Sequence, residues 1–393
     1  MKLLYITPVI PSPAYGRRPY NFLQFLAPRH KIKVLALASA DDDNERKEIL
    51  EGWGVEVEIV PHNKIEAGFH CLFASITRKP LRVHYCDTHK MKKTVEKTIK
   101  EFQPDLIHCD RMRMGQYTLP YKNIPKVVDF TDALILFLER SKNYRKGLVS
   151  RLIDVHERLT IPSYEKYLIK NIDMGLIISD LDRDYIMKYI PEANLKVIPN
   201  NVDLDEFHPH SKPEKSAVDC VFTGTMSYFP NQDSFWFLWN DIWPLVRKSL
   251  PEMKLHLIGP RTPTEIMELD GKMGLKIHGP MRSVAEVLHK EDIFICPLRV
   301  GSGVRNKILE AFACSMTVVS TSLGSEGINI KNEKELIIED DPKKFADAII
   351  DLTKNTTKRE QIGTEARSFV ENNYSSKILE ELEECYIKLT NNK

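Results

Sequence analysis

Short apolar runs rich in β-branched residues alternate with stretches in which apolar positions recur every three or four residues, beginning at Lys2. That order predicts parallel βαβ units. The first series of predicted strands is Lys2 to Thr7, Lys33 to Ala38, Val55 to Val60, Leu106 to Cys109, Lys126 to Asp129, Gly175 to Ser179 and Leu195 to Ile198. After a polar, proline-bearing passage around His208 to Lys215 comes a second series: Cys220 to Thr223, Lys254 to Ile258, Leu275 to His278, Ile293 to Pro297, Thr317 to Ser320 and Glu335 to Ile337. Two series joined by one linker predict an α/β chain of two Rossmann-like domains facing a cleft. Asp341 and Pro342 suit the N-cap and first position of a helix whose apolar face is Phe345, Ala348, Ile349 and Leu352, and a further helix is expected over 357–373.

Composition narrows the class. With 393 residues, 42% hydrophobic and 28% charged, each domain can bury its own core. A net charge of +1 gives no argument for a nucleic-acid partner. The seven cysteines are odd in number, scattered and without a CxxC, so neither a disulfide framework nor a zinc site is expected. A reducing cytoplasm fits. Pro8, Pro11, Arg17 and Arg18 break the pattern of a signal peptide, and no run reaches the roughly 20 apolar residues of a spanning helix, so any membrane contact is expected to be peripheral, on the inner face.

The chemistry concentrates at residues 299–328, RVGSGVRNKILEAFACSMTVVSTSLGSEGI. A turn at Gly301 and Gly303 leads into a helix whose start carries Arg305 and Lys307, with Glu310 one turn further in. Cations at a helix start oppose the macrodipole unless an anion compensates them, and glycines let a backbone approach a ligand. The order suits a nucleoside diphosphate sugar: Arg305, Lys307 and the backbone near Gly303 against the phosphates, Glu310 on ribose hydroxyls, and Ser302 and Val304 in the same donor-binding turn. The alternative is a loop and an ordinary surface-capped helix.

This segment resembles the nucleotide-sugar site of retaining glycosyltransferases of family 4, which have the GT-B fold. Leu309, Glu310, Ala311, Ala313, Val318, Val319 and Thr321 follow the family's "LEAMA-G-PVV-t" pattern, and Gly303, Asn306 and Lys307 follow the "G-x-x-NK-x-LEA" form of the branch associated with exopolysaccharide gene clusters. Where the family carries a first glutamate, eight residues before Glu310, this chain has Ser302. Ile198 to Asp203 resembles the "v-x-NG-v-D" signature that closes the N-terminal domain, with Asn201 in place of glycine, a residue type enriched at positive φ. The resemblance implies an N-terminal acceptor domain over 1–200, a donor domain over 201–374 and a helix over 375–393 returning to the first domain. It further implies transfer of a sugar from a UDP- or GDP-linked donor to a glycan or lipid-linked acceptor with retention, in cell-surface polysaccharide biosynthesis, with no bound metal and no cofactor beyond the donor. A nucleotide-sugar epimerase and a silent nucleotide-binding scaffold are the alternatives.

Other residues enter by position. Gly224 and Thr225 follow the first strand of the second series, a place for a donor phosphate to meet bare backbone, with a tight turn that needs glycine as the other reading, and Arg299 leaves the strand ending at Pro297 towards the same crevice. In the first domain Gly16 stands where the family has a glycine turn; a solvated basic loop with Arg17 and Arg18 is the other reading. Asp129 and Asp132 lie where the family often has a group near the reacting carbon, though Asp129 also suits a helix cap. Asp41 to Asp43 and Asp180, Asp182 and Asp184 are expected to be helix starts, and His108 a core residue. Finally, Ile65, Phe69, Leu72, Phe73 and Ile76 recur at helical spacing among Lys64, Arg78, Lys79 and Arg82, with further cations at Lys90, Lys92, Lys93, Arg140, Lys142, Arg145, Lys146 and Arg151. The clustering predicts a membrane-facing surface; packing of the stripe on the domain's own sheet is the competing account.

Overall fold

The computed structural model describes residues 1–13, 16–38, 44–72, 77–142, 147–210, 218–281 and 283–391, so Asp41 to Asp43, Phe73, Ile76, Arg145, Lys146 and part of the expected linker lie outside the described residues. The chain divides into two compact units, Met1–Pro199 with Ile378–Lys393, and Asn200–Lys377.

In the first unit seven parallel strands form one sheet: β1 (Lys2–Thr7), β2 (Lys31–Ala38), β3 (Glu56–Pro61), β4 (Leu106–Asp110), β5 (Lys126–Thr131), β6 (Met174–Ile177) and β7 (Leu195–Val197), in the order β3-β2-β1-β4-β5-β6-β7. Leu3 to Ile6 and Leu106 to Cys109 are fully buried, as strands covered by helices on both faces must be. The helix Lys377–Asn391 belongs to this unit. It buries Leu382 and Tyr386, whose hydroxyl hydrogen-bonds His108 Nδ1 at 2.6 Å, and Glu383 meets His30 Nε2 at 2.7 Å. His108 is stacked on Tyr5 at 4.3 Å and is a core residue, as expected.

The second unit repeats the plan with β8 (Cys220–Thr223), β9 (Leu255–Ile258), β10 (Leu275–Gly279), β11 (Ile293–Cys296), β12 (Thr317–Ser320) and β13 (Ile337–Ile338), ordered β10-β9-β8-β11-β12-β13. Trp243, Phe222, Phe235 and Phe345 fill its core. Asp341 accepts from the backbone N–H groups of Lys343 and Lys344, both at 3.0 Å, and Pro342 opens the helix Pro342–Lys354. At the junction Asn201 is not among the residues at positive φ, contrary to expectation. Hydrogen bonds do the turn's work instead: Val202 N–H donates to Tyr374 O at 2.8 Å and the Asn200 amide to Asn306 Oδ1 at 2.8 Å.

In each sheet the direction of winding reverses once, between β1 and β4 and between β8 and β11. Open parallel sheets bind ligands at the carboxyl ends of the strands beside such a reversal. No described helix is long and apolar enough to cross a membrane.

Candidate functional site

The reversal between β8 and β11 places the loop after Thr223 beside the loop after Cys296. Gly301 (φ 139) and Gly303 (φ 75) take conformations that side chains resist, and the helix Asn306–Ala313 starts directly after the turn. Ile308, Leu309, Ala311 and Phe312 are buried and anchor it, so Asn306, Lys307 and Glu310 occupy the half-buried side.

Arg305 folds back over its own turn. Its Nη1 donates to the carbonyls of Ser302 and Gly303, the latter at 2.7 Å. A Cβ on Gly301 would come within 2.7 Å of Nη2, so the glycine admits the guanidinium. Its Nε and Nη2 are buried and have no hydrogen-bond partner among the described residues. Burying such donors unmet costs about 1–3 kcal/mol each, more on a charged group, which marks the spot as one that receives an acceptor.

Lys307 closes the other side. Its ammonium donates to Thr223 O at 2.6 Å and to Asn231 Oδ1 at 2.9 Å, above the Phe222 ring. An ammonium has three donors, so one remains. Burial pushes its pKa below the usual lysine range, with nearby Arg305 acting the same way against the opposing pull of Glu310. Asn231 in turn donates to Thr225 O at 3.0 Å, and a Cβ on Gly224 would meet its amide at 2.7 Å. Gly224 is thus required by a close approach, and Thr225 is held by Asn231. The sequence marks Asn231 only by its place after Tyr228-Phe229-Pro230 at a helix start.

The structure therefore brings together Gly224, Thr225, Ser302, Gly303, Val304, Arg305 and Lys307, with Glu310 a turn behind Lys307. Arg299 is engaged elsewhere: it makes a bidentate pair with Asp233 (3.1 and 2.8 Å) and lies over Phe237 at 4.4 Å.

In the first unit Gly16 is the left-handed N-cap (φ 76) of the helix Arg17–Leu26. Arg18 is not in a solvated loop: it is buried, paired with Asp129 at 2.6 Å, and donates to Ile198 O at 2.7 Å. Asp129 does not cap the next helix either, because it accepts from Thr131 N–H at 2.9 Å while Asp182 takes the N–H of the capping Ala133. Asp132 lines a pocket with Arg111 and Glu165. Ser179 Oγ accepts from Asp182 N–H at 3.1 Å, so the Asp180 run is a helix start, as expected. Ile65 and Phe69 are 74% and 61% exposed on the helix Lys64–Leu72, so they do not pack on the sheet.

Among the described residues, Asp219, His256 and Glu291 form the group able to hold a metal ion. They sit at the opposite strand ends, with His256 Nε2 3.7 Å from Asp219 and Nδ1 2.9 Å from His278 Nε2.

Residues 217–355 match the family described as Glycosyl transferases group 1, a span that contains every grouped residue above. A Klebsiella pneumoniae protein named "Uncharacterized 44.6 kDa protein in cps region" is 28% identical over 270 residues, 66% of this chain and 67% of that protein. Among solved structures, sucrose-phosphate synthase of Thermosynechococcus elongatus is similar with a TM-score of 0.72 at 13% identity, covering 100% of both chains. HepE of Anabaena in complex with UDP follows at 0.69 and 14%, covering 99% of this chain and 100% of that one. The chain therefore has the α/β architecture of GT-B glycosyltransferases, with two Rossmann-like units, and the stretch that matches the group 1 glycosyl transferase family, residues 217–355, lies in the second of them.

Proposed function

We propose that the protein transfers a sugar from a nucleoside diphosphate sugar to a glycan or lipid-linked acceptor, with retention, in the assembly of a cell-surface polysaccharide. The observation that carries this reading is the Arg305 guanidinium, with two buried nitrogens, Nε and Nη2, that have no acceptor among the described residues beside the Gly301–Gly303 turn. The UDP and UDP-glucose bound in the HepE structures and the cps region named for the Klebsiella relative support it. Arg305, Lys307 and the backbone after Ser302 stabilise the departing diphosphate, and Glu310 holds the ribose. No protein nucleophile is needed: the leaving diphosphate takes the acceptor's proton on the face it vacates. With two cations neutralising the phosphates, the reading needs no metal, and it places the protein in the cytoplasm at the inner face of the membrane.

Incubation with a panel of UDP- and GDP-sugars and membrane extract tests it. Sugar incorporated into extract material is the expected result. Binding without turnover would instead favour a silent scaffold, the reading that Ser302 in the first glutamate's place supports, and conversion of the sugar without an acceptor would mean an epimerase.

Glu310→Gln supplies a finer check. The neutral amide weakens the bonds from both ribose hydroxyls, so the fall in kcat/KM, about tenfold, is expected to shrink with a 2′-deoxy donor. Equal losses on both donors would reduce Glu310 to a helix residue.

A further inference from the structure

The first unit holds a pocket of about 110 Å³ that the donor chemistry does not use, lined by Arg82, Arg111, Arg113, Phe130, Asp132 and Glu165. It opens at the carboxyl ends of the paired strands β4 and β5. Both strands leave the sheet through non-glycine residues at positive φ, Arg111 (φ 72) and Thr131 (φ 69). Such backbone is costly and persists where surroundings impose it, often at binding sites.

The charges are unevenly met. Arg82 is bound to Glu157 through Nε and its backbone N–H, Arg111 Nε is 3.8 Å from Asp110 with Asp132 and Asp129 also acting on its charge, and Arg113 Nε is buried with no partner among the described residues. Of the two lining carboxylates, Glu165 bonds Tyr189 and burial pushes its pKa up to about 7, so near neutrality it offers the arginines only part of a negative charge. Three guanidinium groups around a small cavity suit a phosphate.

Glu165 belongs to the helix Leu148–Ile169, whose first half turns its apolar side outward. The helix buries Ile161, Tyr164, Leu168 and Ile169 in its second half, but over the first it buries Asp154, Glu157 and Thr160 and exposes Leu148, Val149, Leu152, Val155 and Leu159, three of these at 70% or more. A surface helix ordinarily does the reverse. At 1.5 Å per residue the stripe begins about 9 Å from Glu165 and runs on for roughly 17 Å. The Arg82–Glu157 pair ties this helix to the pocket, and exposed Arg151 lies in the same half of the helix as the outward apolar side.

We propose that this pocket binds the phosphate of the acceptor, a lipid phosphate whose apolar chain lies along the exposed face of helix Leu148–Ile169. Charge complementarity at one end and the continuous apolar stripe at the other select a ligand with both features. The proposal rests on the glycosyl-transfer reading for the word acceptor.

Titration calorimetry on the full chain tests it with farnesyl phosphate, farnesol, inorganic phosphate and phosphatidylglycerol vesicles as probes, and UDP on the same samples. Farnesyl phosphate is expected to bind at least tenfold more tightly than farnesol or inorganic phosphate. Arg111→Gln with Arg113→Gln should weaken it tenfold or more. Leu152→Glu with Leu159→Glu, at exposed positions that leave folding intact, should do the same while inorganic phosphate binding stays unchanged. Unaltered farnesyl phosphate affinity in either double variant overturns the assignment, as does farnesol binding equally well. Vesicles that compete as effectively as farnesyl phosphate would make the pocket a bilayer headgroup site rather than an acceptor site, and glutamates that only abolish self-association would mean a second copy covers the face. If UDP fails to bind while farnesyl phosphate does, the transfer reading falls and the pocket stands; the converse result sinks the pocket alone.

Discussion

Lys307→Met is expected to lower affinity for UDP or GDP by roughly ten- to a hundredfold and to depress turnover with their sugars at least as much. A charge-assisted bond to phosphate contributes about 1.5–3 kcal/mol, and each 1.4 kcal/mol is a factor of ten. The substitution keeps most of the apolar stem over Phe222, so packing is nearly preserved. What disappears is the ammonium that joins Thr223 O to Asn231 Oδ1. Two acceptors beside the loop after β8 are then unmet, and Asn231, which also holds Thr225 O, is free to swing. The melting temperature should therefore fall by a few degrees, while nucleotide affinity falls by far more than so small a loss of stability would produce. Burial has already lowered the lysine's pKa, so binding in the unmodified protein should weaken on the alkaline side earlier than an ordinary lysine would allow. Calorimetry with UDP and GDP from pH 7 to 10 reads both effects. Full affinity in the Met variant at pH 7 would remove the diphosphate from this turn.

What the sequence disclosed follows from the range of the forces involved. Period and composition are local, and every predicted strand appears within a few residues of its expected span, from Lys2–Thr7 to Ile337–Ile338. Caps are local too, and Asp341 with Pro342 behaves as its chemistry requires. The glycine turn and the two cations were legible because they stand within ten residues of one another, Gly301 to Glu310. Partners distant in sequence were not. Arg18 and Asp129 are separated by 111 positions, and neither residue's neighbours in the chain betray the other. Arg299 looked available until the fold supplied Asp233 from 66 positions away. The outward apolar side of the first half of helix Leu148–Ile169 escaped for another reason: period shows that a helix has an apolar face but not whether that face points to the core. Only the burial of Asp154, Glu157 and Thr160 against the exposure of Leu148, Leu152 and Leu159 settles it.

Two buried groups in the first unit should leave opposed signatures on stability between about pH 4.5 and 6.5. His108 is neutral in the fold, its pKa pushed down to about 3 mainly by burial, with Asp129 pulling it up and Arg18 pressing it down. The unfolded chain takes up that proton near the ordinary histidine value of 6.5, so through this window the unfolded state binds more protons. The contribution of His108 is therefore complete above pH 6.5 and is lost as pH falls towards 3. Glu165 runs the other way: its folded pKa is raised from 4.5 to about 7, so its contribution is complete below pH 4.5 and is lost as pH rises through 7. Within the shared window each group alone would tilt the unfolding free energy by about 1.4 kcal/mol per pH unit, in opposite senses. The two slopes nearly cancel in the intact protein. Urea melts of His108→Gln and Glu165→Gln, taken as differences from the parent so that the remaining carboxylates drop out, should uncover them. The His108 variant should gain on the parent as pH falls from 6.5 to 4.5, by roughly 2–3 kcal/mol in all, even though losing the stack on Tyr5 lowers its absolute stability. The Glu165 variant should lose ground over the same interval by a similar amount. Parallel curves for parent and both variants would show that neither group holds its proton as the fold implies, and would remove Glu165 as the weakly charged wall of the arginine pocket.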